Sequence, residues 1–171
     1  MIFAIVLQSI VSLIVLILAF YMYMAVQREQ LQGAEQLQAL EKERVLSEDL
    51  LRWHQAKLQG FDIAVTLKQL GVTQLSIYSA DTAGRLLAKE LKGKMELAYF
   101  IDRNPNVQER EIDGLLVMGM YPRDDYGDGI VVALMNDGDK TMKRRLEDLG
   151  LPAKVFCLRD LIGAALLENA G

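Results

Sequence analysis

The feature that most constrains this chain is its beginning. From Met1 to Val26 there is no charged residue, and only Gln8, Ser9 and Ser12 interrupt an apolar or aromatic run. About 20 apolar residues suffice to cross a bilayer as a helix, so residues 1–26 are expected to form a transmembrane helix. The run exceeds the usual apolar stretch of a signal peptide, about 7–15 residues, and no small-x-small cleavage site follows it. It is apolar on every face, which also argues against an ordinary amphipathic core helix. Tyr21 and Tyr23 fall near its C-terminal end, where aromatic residues favour the membrane interface. Arg28, Lys42 and Arg44 follow it. The positive-inside rule therefore places the C-terminal part in the cytoplasm, as a single-pass protein of the cell membrane.

The rest of the chain carries the whole net charge of −4 and no basic stripe, so nucleic acid is not an expected partner. The single Cys157 cannot form an internal disulfide and lies in a strand-like run, where it reads as a small buried hydrophobe. Residues 27–59 are rich in Gln, Glu, Leu, Lys and Arg, which are good helix formers. They are expected to continue the membrane helix as a stalk. A heptad frame through Leu37, Leu40, Arg44, Ser47, Leu51, His54 and Leu58 is apolar at only four positions, enough to raise a coiled coil and homo-oligomer without establishing either. A second face, Leu46, Leu50 and Trp53, could pack on the domain that follows.

After residue 60 the hydrophobic period alternates. "FDIAVTLKQL" (61–70) reads as a short helix stopped by Gly71. Strand-like runs follow at 75–78, 95–101, 112–117, 129–135 and 153–158, with helix-like segments at 82–91, 140–149 and 159–168. Strands alternating with helices imply a parallel sheet with right-handed crossovers. The expected fold class is α/β: a single Rossmann-like parallel-sheet domain over residues 60–171, with strand order near 3-2-1-4-5. The polar stretch between Met118 and Asp128 is too short for a full crossover helix.

In such a sheet the ligand crevice lies beyond the carboxyl ends of the strands. That gathers three turns: Ser79-Ala80-Asp81, Asp102-Arg103-Asn104 and Asn136-Asp137-Gly138. A pyrophosphate turn uses one glycine for the bend, a second for close approach and a third for helix packing. Here those places hold Ser79, Asp81 and Gly84. Gly84 suits the packing role. Asp81 sets a negative charge where a phosphate would approach, and at a helix N-terminus it would act as a cap. Asp102, ending the second strand, could bind ribose hydroxyls or close a turn on its own backbone. The acidic loop "RDDYGDG" (123–129) has no metal-site spacing and reads as a solvated turn.

The linked series "SIYSADTAGRLLAKEL", "ELAYFIDRNP", "EIDGLLVM", "DGIVVALMND" and "RRLEDLGLPAKVFCLRDLI" resembles a bacterial domain family. The family is the small Rossmann-like domain of surface-polysaccharide biosynthesis proteins, which stands at the front of nucleotide-sugar dehydratases and sugar acetyltransferases and beside glycosyltransferases. The resemblance spans roughly residues 70–163. It implies a nucleotide or nucleotide-sugar pocket, and on this chain the family's pocket residues fall on Ser79, Asp81, Gly84 and Asp102. The neighbouring Ala80 and Asn136 complete the candidate binding set. No catalytic or metal-ligating residue is expected, and the identity of a cofactor is left open.

Three functions are compatible with this sequence. One is a membrane-anchored, non-catalytic binding or regulatory module that serves polysaccharide assembly and meets a nucleotide sugar or a glycosyltransferase. Another is a pure scaffold that binds no small molecule. The third is a nucleotide-sugar oxidoreductase, which the lack of a Tyr-x-x-x-Lys pair and of a substrate domain disfavours.

Overall fold

The computed structural model describes residues 2–122, 125–136 and 138–168; the side chains of residues 1–19 lie outside the description. Helix α1 runs Ile2–Leu58. It covers both the expected membrane span and the stalk, although most side chains of that span fall outside the described set. Among the described residues, no helix is long and apolar enough to cross a membrane. The chain divides into two compact units, Met1–Arg44 and Val45–Gly171.

The first unit is helix throughout its described length, with an Arg44–Glu41 ion pair on its surface. Leu37 and Leu40, two members of the heptad frame, are exposed. The second unit begins at Val45, inside the segment expected to be stalk. The physical reason is the face Leu46, Leu50 and Trp53. Trp53 and Ala56 are buried in the main core, and Leu46 and Leu50 pack against it. The last turns of α1 are therefore part of the domain.

Then follow α2 (Ile63–Gln69), β1 (Gln74–Tyr78), α3 (Thr82–Leu91), β2 (Glu96–Ile101), β3 (Glu111–Ile112), β4 (Leu115–Met118), β5 (Gly129–Val132), α4 (Asp139–Glu147), β6 (Lys154–Cys157) and α5 (Leu158–Glu168). The sheet order is β3-β4-β2-β1-β5-β6. Every pairing is parallel except β3 with β4. Setting β3 aside, the order is 3-2-1-4-5, the Rossmann arrangement expected from the alternation of strands and helices.

The expected single run at 112–117 is instead the end of the first strand, the turn and most of the second strand of a hairpin. Asp113 (φ 52°) and Gly114 (φ 87°) both adopt left-handed backbone, as a two-residue hairpin turn between twisted strands requires. The β5 run ends at Val132, short of the expected Met135.

Alternation along the strands builds two cores. Leu75, Ile77, Phe100, Val117 and Val131 face the layer formed by α2, α3, α5 and the end of α1. Tyr78, Ile101, Ile130 and Val132 face the opposite layer, with Met142 and Leu146 of α4. The described residues between β4 and β5 form no helix, and Met120 and Tyr126 of this connection pack into the second core. Tyr126 is buried, and its hydroxyl shares its one proton between the carbonyls of Gly119 at 2.8 Å and Tyr121 at 3.0 Å. Its own carbonyl accepts from Ser76 Oγ at 2.7 Å. Tyr126→Phe removes the one proton that these two carbonyls share and should cost about 1 kcal/mol by chemical denaturation. An unchanged midpoint would show that Tyr126 is held by packing alone.

Asp128 fixes the entry to β5. Burial pushes its carboxyl up, but hydrogen bonds from Thr73 N–H, Thr73 Oγ1 and Gln74 N–H outweigh this and hold it below the usual range. That contribution to stability is present above the ordinary Asp pKa and fades as pH falls through the depressed one.

Candidate functional site

The turn after β1 bends through a positive-φ residue without a glycine at that place. Ser79 lies at φ 87°, a left-handed conformation that costs a non-glycine residue on the order of 1 kcal/mol. Its surroundings hold it there: it is buried, and its N–H donates to the Ile101 carbonyl at 2.9 Å. Gly84 faces this bend from the first turn of α3. A Cβ at Gly84 would stand 1.9 Å from the Ser79 carbonyl oxygen and 3.4 Å from Ile77 Cγ2. Only hydrogen fits, and that lets the helix settle against the strand end.

Two carboxylates occupy the amides of this turn. Asp81 is the N-cap of α3, and its Oδ1 accepts from Ala83 N–H at 3.1 Å and Gly84 N–H at 3.3 Å. Asp102, just beyond β2, reaches across with Oδ2 to accept from Ala80 N–H at 3.0 Å. Its Oδ1 accepts from Asn104 N–H at 2.9 Å and closes the "DRNP" turn. Asp102 N–H donates to the Met118 carbonyl, and its own carbonyl accepts from Gln108 Nε2 at 2.8 Å. The carboxylate that could hold ribose hydroxyls thus ties the first turn to the second.

One hydrogen bond thus joins Ala80 to Asp102 and another joins Asp81 to Gly84, while Ser79 is bonded to Ile101 and lies against Gly84. Asn136 stands apart in the turn that follows β5. Its Oδ1 accepts from Gly138 N–H at 2.8 Å, and its carbonyl accepts from Asp139 N–H at 3.2 Å. Its neighbour Asp137, the middle of the third expected turn, lies outside the described residues. The strands bring the two turns to the same edge, since β1 pairs with β5 and Ala133 N–H donates to the Tyr78 carbonyl.

Two features at this edge had no clear sequence signal. The Tyr78 phenol is pushed up by burial, opposed by the Arg103 guanidinium and its hydrogen bond. Arg103 adjoins Asp102 in sequence, but nothing in the pattern names a tyrosine as its partner. The second is a charge cluster. Arg159 Nε lies 2.9 Å from Asp49 Oδ2, and its Nη1 lies 4.0 Å from the buried Asp139. Burial raises the Asp49 carboxyl, with Arg159 opposing. These residues come from α1, α4 and α5, too far apart in sequence for any spacing rule to join them.

The acidic loop gives no metal site among the described residues. Asp125 accepts from the Tyr99 hydroxyl, and Asp128 serves Thr73 and Gln74. Cys157 is buried, and burial, then Asp139 and Asp160, push its thiol up to about 11. It should resist alkylation at pH 8 in the native chain and react on unfolding, as mass spectrometry would register. Rapid native labelling would contradict its burial.

No family model and no curated protein matches the chain. Among solved structures, it is similar to UDP-D-quinovosamine 4-dehydrogenase from Vibrio fischeri. The identity is 20%, the TM-score 0.39, and the match covers 54% of this chain and 85% of that one. It is also similar to RSP, a Rex-family repressor, at 17% identity and TM-score 0.44, over 61% of each chain.

Proposed function

We propose that this chain is a non-catalytic, Rossmann-like binding or regulatory module of bacterial surface-polysaccharide assembly. Residues 1–26 anchor it in the cell membrane, and its domain faces the cytoplasm. Its ligand is a nucleotide or nucleotide sugar, and its protein partner a glycosyltransferase or another assembly component. The observation that carries this is the state of the first turn. The positive φ of Ser79 and the close approach of Gly84 to its carbonyl support a phosphate-type turn, and Asp81 and Asp102 hold the amides that would meet the phosphates.

An anion reaching this turn must displace a carboxylate of the chain itself. The intramolecular carboxylate has no association entropy to lose, so a diphosphate competes poorly. Occupancy is then weak and follows ligand concentration, which suits a sensor better than an enzyme that retains a cofactor. The chain also lacks the Tyr-x-x-x-Lys pair of a short oxidoreductase.

The same filled turn favours a second possibility, a scaffold that binds no small molecule. A thermal-shift screen of the full chain against nucleotides, nucleotide sugars and coenzyme A separates them. A ligand that binds only the native state raises its stability by mass action. Binding at millimolar ligand supports the module. No shift with any of these ligands would leave the scaffold.

A further inference from the structure

On the edge of the sheet opposite the phosphate turn, an open groove of about 490 Å³ lies between the end of α3, the start of β2 and the β3–β4 hairpin. Ala88, Met95, Leu97 and Leu115 form an apolar floor, and Lys89 and Lys92 stand on its rim. The groove exists because the connection from β2 to β4 carries no helix. In a doubly wound sheet that crossover helix would cover this face.

The rim is positive. Asp113, its acidic member, is already matched by Arg85, whose Nε lies 2.8 Å from Asp113 Oδ2. Hydrogen bonding to Arg85 is the main reason the Asp113 carboxyl is held low, with Lys89 and Lys92 adding smaller contributions. Neither lysine forms an ion pair with a described residue. Both are exposed. Two cations therefore border an apolar floor, in a volume typical of small-molecule sites.

We propose that this groove binds a small anionic amphiphile, with its apolar tail on the Met95–Leu97–Leu115 floor and its phosphate or carboxylate head between Lys89 and Lys92. Size favours a small molecule over a peptide helix, and the charge of the rim selects the anion.

The test uses the full chain in nanodiscs of neutral phosphatidylcholine, titrated with decyl phosphate or with decyltrimethylammonium as the cationic control. Amide hydrogen exchange at residues 92–97 and 113–116 is the readout. Decyl phosphate should protect both segments, and the cationic control should not. Lys89→Gln/Lys92→Gln, which alters only exposed side chains, should weaken the protection roughly tenfold in apparent affinity. Equal protection by the cationic control, or undiminished protection in the double variant, would overturn the assignment. So would protection by an acidic amphipathic peptide where decyl phosphate gives none, which would mark the groove as a protein-docking surface.

Discussion

Gly84→Ala should destabilise the domain by about 3 kcal/mol or more, measured by chemical denaturation of the full chain. The added methyl would meet the Ser79 carbonyl oxygen at 1.9 Å. That atom is backbone, in a bend already held at positive φ and bonded to β2 through the Ser79 N–H. It cannot swing away as the tip of a flexible side chain would. Relief would require α3 to lift from β1, and that would expose part of the packing of Ala83, Leu87 and Leu91. Gly163 is the internal control. It lies within α5, with nothing within 4 Å of a built Cβ, so Gly163→Ala should stabilise by about 0.5–1 kcal/mol through helix propensity. A neutral Gly84→Ala would mean that α3 does not rest on the turn as described.

Trp53→Ala should cost about 3–5 kcal/mol, the range for deleting a large buried aromatic. Trp53 is 4% exposed and belongs to the main core, although it lies in the segment that the sequence marks as stalk. Its indole Nε1 is buried with no hydrogen-bond partner among the described residues, so Trp53→Phe should lose much less: volume goes, but no bond among them is broken. Leu37→Ala and Leu40→Ala, at exposed positions farther up the same helix, should stay within about 0.5 kcal/mol. A chain started at residue 60 should fold poorly for the same reason, while one started at Val45 retains Trp53, Ala56 and their neighbours. If Trp53→Ala proved as mild as Leu37→Ala, the domain would begin where the stalk was expected to end.

The boundary was partly legible, because the spacing of Leu46, Leu50 and Trp53 marks an amphipathic face. It was not fixed, because the same residues also suit a coiled-coil flank. The parallel order of the sheet was legible from the alternation of apolar strands and helices. The β3–β4 hairpin was not, although Asp113-Gly114 is a strong turn signal. Its first strand, Glu111–Ile112, is only two residues long and shows no alternation of its own. At the site, the places of Ser79, Asp81 and Gly84 follow from the fingerprint spacing alone, as does a cap at Asp81. The bond from Ala80 to Asp102 depends on how closely two separate turns approach, which no local pattern encodes. The Asp49–Arg159–Asp139 cluster is likewise assembled by packing, from residues with no shared motif.

We propose that the turn after β1 is a phosphate-type turn filled by the chain's own carboxylates. The most direct test is calorimetric titration of uridine diphosphate into the full chain and into Ser79→Gly/Asp81→Gly. The double variant frees the Ala83 and Gly84 amides at the start of α3, where an anion is favoured. It loses a cap worth about 1 kcal/mol and should remain folded. The unaltered chain should show no micromolar binding, and the variant should bind measurably tighter. Micromolar affinity in the unaltered chain, or no gain in a variant shown to be folded, would contradict the claim.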